Sequence, residues 1–245
     1  MLEVAVIVVA LAVGAFLKGA TGGGLPQIAI PIMATFLGVE RAVIVMAIPG
    51  VVANSWMVWS TRDALRLSRD LPSLLVSGVV GAVAGTFLLE SLDSRVLSLA
   101  LACVIIVYVV LATRRPGFSV SARVSRLTSP PVGLAAGGMQ GATGISGPLL
   151  STYLHGFGLV PRAYVFSLSV MFLVFSLTQT LTLFGIGLYP AERVVESLLA
   201  LIPIAVMLPL GSRLASRLSP DAFRRVILVL LSLTAAKLLY DALLG

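Results

Sequence analysis

Gly19-Ala20-Thr21-Gly22-Gly23-Gly24-Leu25-Pro26 interrupts an apolar run near the amino terminus, and Gly141-Ala142-Thr143-Gly144-Ile145-Ser146-Gly147-Pro148 interrupts another one 122 residues later. Pro26 falls on Pro148 without a gap, half a chain apart in a sequence of 245 residues. Glycine and proline are the weakest helix formers, and in hydrocarbon a broken backbone is tolerated only where protein buries it or a cavity receives it. Paired breaks at corresponding places in two halves are the sequence mark of a transporter's binding site. The expectation is therefore two broken helical hairpins built around one site.

Reading outward from each break extends the pattern. Residues 4–17 and 25–38 are apolar stretches of about 14 residues each, short of the ~20 that a full span needs. Spans at 42–60, 71–89 and 96–112 follow, so residues 1–113 form one repeat whose hairpin is 4–38. A linker at 114–130 carries Arg114, Arg115, Arg123 and Arg126 and ends at Pro130-Pro131. Residues 131–245 form the second repeat, with a hairpin at 132–160 and spans at 163–188, 194–210 and 226–244. Val39-Glu40-Arg41-Ala42 matches Val160-Pro161-Arg162-Ala163, and Gly85 and Leu92 match Gly211 and Leu218. The predicted fold is an all-α integral membrane protein of two homologous repeats, each a broken-helix hairpin followed by three transmembrane helices.

Composition points the same way. Hydrophobic residues make up 58% and charged residues 11%, less than half the charged share of ordinary soluble domains. The net charge of +7 resides in arginines of short connectors, as in cytoplasmic membrane loops, which argues against a nucleic-acid partner. Placing the connectors 62–69, 114–126 and 213–225 in the cytoplasm makes 42–60 run inward and 163–188 outward. The repeats are then inverted and both termini extracytoplasmic. Glu3 is the first charge and Lys18 follows the apolar stretch, so no cleavable leader is expected. Cys103 stands alone in an apolar run and reads as packing material.

Two inverted hairpins bring their tips together near the bilayer midplane, with a helix beginning after each break. Such starts offer free N–H groups and a positive dipole end, glycine admits a ligand close to backbone, and proline in the first turn gives up an N–H that is unpaired anyway. The candidate anion site is Lys18, Gly19, Thr21, Gly22, Gly23 and Gly24 with Gln140, Gly141, Thr143, Gly144, Ser146 and Gly147. Gly19 and Gly141 equally suit close helix packing. Asn54, Ser55, Ser176 and Gln179 within spans, and His155 as the single histidine, are candidates to line a pathway. Arg41 and Arg162 read as interfacial anchors, and Glu90 and Glu196 as solvated. There is no catalytic constellation and no metal cluster in the pattern, so neither an enzyme nor a cofactor is expected.

The two Gly-Ala-Thr-Gly motifs, the flanking Pro26 and Pro148, and the two equivalent halves resemble the TauE/SafE family, the sulfite exporter family of membrane proteins. The resemblance implies a plasma-membrane transporter of sulfite, organosulfonates or related small anions, usually outward, with the bilayer and a small anion as its partners. Transport by the two halves rocking about their tips is the leading expectation. An anion channel constricted at the same tips, a carrier of an unrelated organic anion, and a membrane scaffold are the alternatives.

Overall fold

Gly24 decides the first turn of the chain. Its φ of 101° lies in the left-handed region that side-chain-bearing residues avoid, and it ends the break between α1 (Leu2–Thr21) and α2 (Leu25–Leu37). The computed structural model describes residues 2–21, 23–67, 71–114, 119–214 and 220–244. After α2, Gly38 turns the chain into α3 (Val39–Ser60), which a 3₁₀ turn (Arg62–Leu67) closes before α4 (Leu71–Ser91) and α5 (Ser94–Arg114). The second half runs through α6 (Ala122–Thr143), α7 (Gly147–His155), α8 (Pro161–Gly185), α9 (Ala191–Leu199), α10 (Leu201–Leu214) and α11 (Pro220–Leu244). The protein is all-helical, with no strand among the described residues.

Among the described residues, five helical stretches are long and apolar enough to cross a membrane: Val39–Ser60, Leu71–Ser91, Ser94–Leu111, Pro161–Gly185 and Ala191–Leu214. Their outer faces carry large apolar side chains at high exposure, Trp59 and Val76 each at 69% and Ile202 at 65%, which suits lipid and not water. Ala5–Ala20 and Leu25–Leu37 are shorter apolar helices, in keeping with a hairpin of less than full spans.

Three boundaries differ from the sequence reading. The stretch read as a linker over 114–130 is helical from Ala122, because Ser121 caps that end by accepting from the Val124 N–H at 3.3 Å. Pro130 and Pro131 lie inside α6, a place where membrane helices tolerate proline. The arms of the second hairpin are thus unequal, 22 residues in α6 and nine in α7. The span read over 194–210 lies inside a longer apolar stretch, Ala191–Leu214, whose helix is interrupted at Ala200.

Packing crosses between the halves. The most extensive contacts are α4 with α6 and α1 with α10, followed by α3 with α8, and α5 pairs with α11. Glycines set the first two crossings. A Cβ at Gly137 would overlap the Gly78 carbonyl oxygen, and one at Gly211 would overlap that of Phe16, so backbone meets backbone there. Helices α3 and α8 run antiparallel. Mid-length, a Cβ at Gly50 would stand 3.3 Å from Ser176 Oγ, while the Arg162 guanidinium at the start of α8 donates to the Ser60 carbonyl at the end of α3 (3.2 Å).

Candidate functional site

The second break lies against the helix that follows the first. A Cβ at Gly144 (φ 69°) would overlap the Ile30 side chain of α2, and a Cβ at Gly147 would overlap the Gln27 amide. Gly23 in turn faces Leu168 of α8, with 3.7 Å to the position of its missing Cβ. Neither following helix is capped by a side chain. α2 starts from Gly24 with Pro26 in its first turn, and α7 starts from Ser146 with Pro148 in its first turn. Neither start is thus capped by the side chain of its N-cap residue, and Gln27 in the first turn of α2 meets Gly147 at the start of α7.

Lys18 enters that region from the last turn of α1. It is 1% exposed, and its ammonium donates to Asn54 Oδ1 at 2.7 Å. Asn54 is itself held by donation from Nδ2 to the Gly50 carbonyl at 2.7 Å. The Phe172 ring of α8 lies beneath the charge, with 5.4 Å from Nζ to its centroid. Among the described residues no carboxylate forms an ion pair with Lys18. Burying a cation against a neutral amide is costly, and an anion entering the region would offset that cost.

The second motif builds a neutral counterpart. Ser146 donates to Gln140 Oε1 at 2.8 Å, Gln140 Nε2 donates to Gln179 Oε1 at 3.2 Å, and Gln179 Nε2 returns to the carbonyls of Gln140 (2.8 Å) and Gly141 (3.1 Å). Lys18 and Gln140 occupy the same place in their motifs, and each reaches the helix that follows its hairpin, α3 or α8. A narrow cleft lies alongside, lined by Pro26, Ile30, Val43, Gln140, Ser176 and Gln179.

The structure therefore brings Lys18, Gly23, Gly24, Gln140, Gly144, Ser146, Gly147, Asn54, Ser176 and Gln179 to one neighbourhood. Gly19 and Gly141 sit at helix crossings, where an added Cβ would overlap the Leu208 and Ala82 carbonyls. Thr143 bonds back to the Met139 carbonyl at 2.8 Å and accepts from the Ile145 N–H. Ser55 is exposed, and His155 is exposed at the end of α7, stacked on Tyr164 at 4.5 Å. Neither joins the group. Gly22 and the Thr21 side chain lie outside the described residues. Two neighbours were not singled out from sequence. Gln27 had a signal, a polar residue directly after Pro26 where the second copy has Leu149, whereas Phe172 had none among the other aromatics of α8.

Ion pairs sit at the two ends of the bundle. Arg41 pairs with Glu196 (2.7 Å) and Glu3 (2.9 Å), and Arg193 shares Glu196 (2.8 Å). At the far end Arg162 takes Asp63 in two bonds of 2.6 and 2.8 Å. Hydrogen bonding by Arg162 holds the Asp63 carboxyl below the usual carboxylate range. Nineteen helical steps along α3 lead from Arg41 to Ser60, which Arg162 also touches. At 1.5 Å per residue that is about 29 Å, close to the ~30 Å of a hydrocarbon core. Arg41 and Arg162, read from sequence as lipid anchors, thus tie α3 to α9 and α8 to the 3₁₀ turn. Glu196, read as solvated, is partly covered by two guanidinium groups, because α9 packs on α3.

A family model described as "Sulfite exporter TauE/SafE" matches residues 6–238. No curated protein and no solved structure gives a significant match. The match spans nearly the whole chain and takes in both glycine breaks, the buried lysine and both terminal ion-pair arginines. The chain belongs to the sulfite exporter TauE/SafE family, a family of membrane transporters and not of enzymes.

Proposed function

We propose that the protein moves a small anion across the bilayer by alternating access, that the passenger is sulfite, an organosulfonate or a related sulfur oxyanion, and that the net direction is outward. The observation that carries this reading is the enclosed ammonium of Lys18, bonded to an amide, beside two uncapped helix starts. Three positive features with no acid paired to the lysine among the described residues make a region that attracts negative charge. The passenger class and direction follow the family description. We place the binding groups at Lys18, at the backbone of Gly22 to Gly24 and Gly144 to Gly147, and at Thr21, Gln140 and Ser146. Two inverted repeats are part of the same reading, supported by the antiparallel α3 and α8 and by the matched crossings of α1 on α10 and α6 on α4. A plasma-membrane location with both termini outside completes it.

A channel constricted at the same tips is the second reading. The ion pairs at both ends favour the carrier, since a conducting pore needs a path open at both mouths at once. The experiment is sulfite flux in proteoliposomes. A carrier gives saturable flux and counterflow; single-channel currents would establish the channel instead. The absence of both would remove the transport reading.

A further inference from the structure

Ser169 of α8 is fully buried, and among the described residues its hydroxyl is the one buried side-chain polar atom with no hydrogen-bond partner. The exception is sharp within its own helix. Thr178, Thr180 and Thr182 each donate to the carbonyl four residues earlier, at 2.7–2.8 Å. Ser169 has the Val165 carbonyl in the same relation and does not use it. A buried hydroxyl left unpaired is unfavourable, and its persistence calls for a partner that the protein itself does not supply.

Its position identifies the partner. Three residues along α8, on the same face, is Phe172, whose ring lies under the Lys18 ammonium. The residue just before it, Leu168, is the one that Gly23 of the first break faces. Ser169 thus lies within one helical turn of the two α8 side chains that meet the first broken tip and the buried cation. We infer that Ser169 is a ligand residue of the anion site, donating its O–H to one oxygen of a bound oxyanion while Lys18 holds the charge. The inference rests on the anion reading above and adds a specificity element. A pyramidal or tetrahedral oxyanion has several acceptor oxygens and can take both donors at separate positions. A halide presents one centre and gains less from the second.

The test uses purified full-length protein, with sulfite, methanesulfonate and chloride as probes, and compares the parent with Ser169→Ala. Two readouts are expected to part. Without anion, Ser169→Ala unfolds at the same temperature as the parent or higher, because the change removes an unsatisfied buried group. Its affinity for sulfite and methanesulfonate falls about tenfold, the scale of one hydrogen bond to a charged group, and its response to chloride stays the same. If Ser169→Ala is less stable without anion and responds to sulfite as the parent does, the hydroxyl serves the fold and the inference is overturned. Equal stability with equal responses overturns it as well and leaves the anion reading standing. If the parent itself responds to neither sulfite nor methanesulfonate, the anion reading fails and this inference falls with it.

Discussion

Lys18 is the residue on which the proposed chemistry turns. A cation at 1% exposure in an apolar bundle is expensive to keep, and Asn54 and the Phe172 ring meet only part of its demand. Replacing it with methionine keeps the volume and removes the charge. The expected outcome for Lys18→Met is a folded protein whose affinity for sulfite drops about 10- to 100-fold, the range of a hydrogen bond to a charged group, read by anion-induced thermal shift and by flux. This lysine was legible in the sequence because it is a charge where the apolar pattern permits none, directly before a glycine break. Its setting was not. Asn54 lies 36 positions away and Phe172 is one of several aromatics in α8, so only three-dimensional packing selects them. His155 shows the opposite failure. Its rarity in the sequence drew notice, but the nine-residue α7 carries it away from the tips.

At the scale of elements, the breaks and most helices could be read directly, since glycine and proline interrupt hydrophobic runs in a pattern with few other meanings. The start of α6 could not, because a capping serine and two prolines also look like a linker until helices pack around them. The crossing of α4 on α6 gives a clean prediction. Gly137→Ala places a methyl group against the Gly78 carbonyl and should destabilise the protein by about 1–3 kcal/mol, as overpacking does. Gly185→Ala, where nothing stands within 4 Å, is the matched control and should be close to neutral or mildly stabilising. Thermal unfolding of the two variants in one detergent compares them.

For the whole molecule, the ion pairs at the two ends make opposite predictions. Glu196→Gln should weaken the closure at the Arg41 end and raise labelling of a cysteine introduced near that end, in a Cys103→Ser background. Asp63→Asn should do so at the Arg162 end. The Asp63 pair also has a pH signature. Its carboxyl is held below its ordinary value, so the contribution is present above about pH 4 and is lost as the pH falls through the lowered folded value. The stability difference between parent and Asp63→Asn should therefore shrink on acidification. It should shrink with salt too, since both partners are 59% exposed.

The glycine crossings carry a mechanical consequence. α1 belongs to the first half of the chain yet is welded, backbone to backbone, to α10 of the second, and α6 is welded to α4 in the same manner. Swinging one half of the sequence as a block against the other would prise apart the two tightest seams in the molecule. In the proposed alternating access the hinge line would then cut elsewhere, and the moving parts would be composites, each assembled from both ends of the chain.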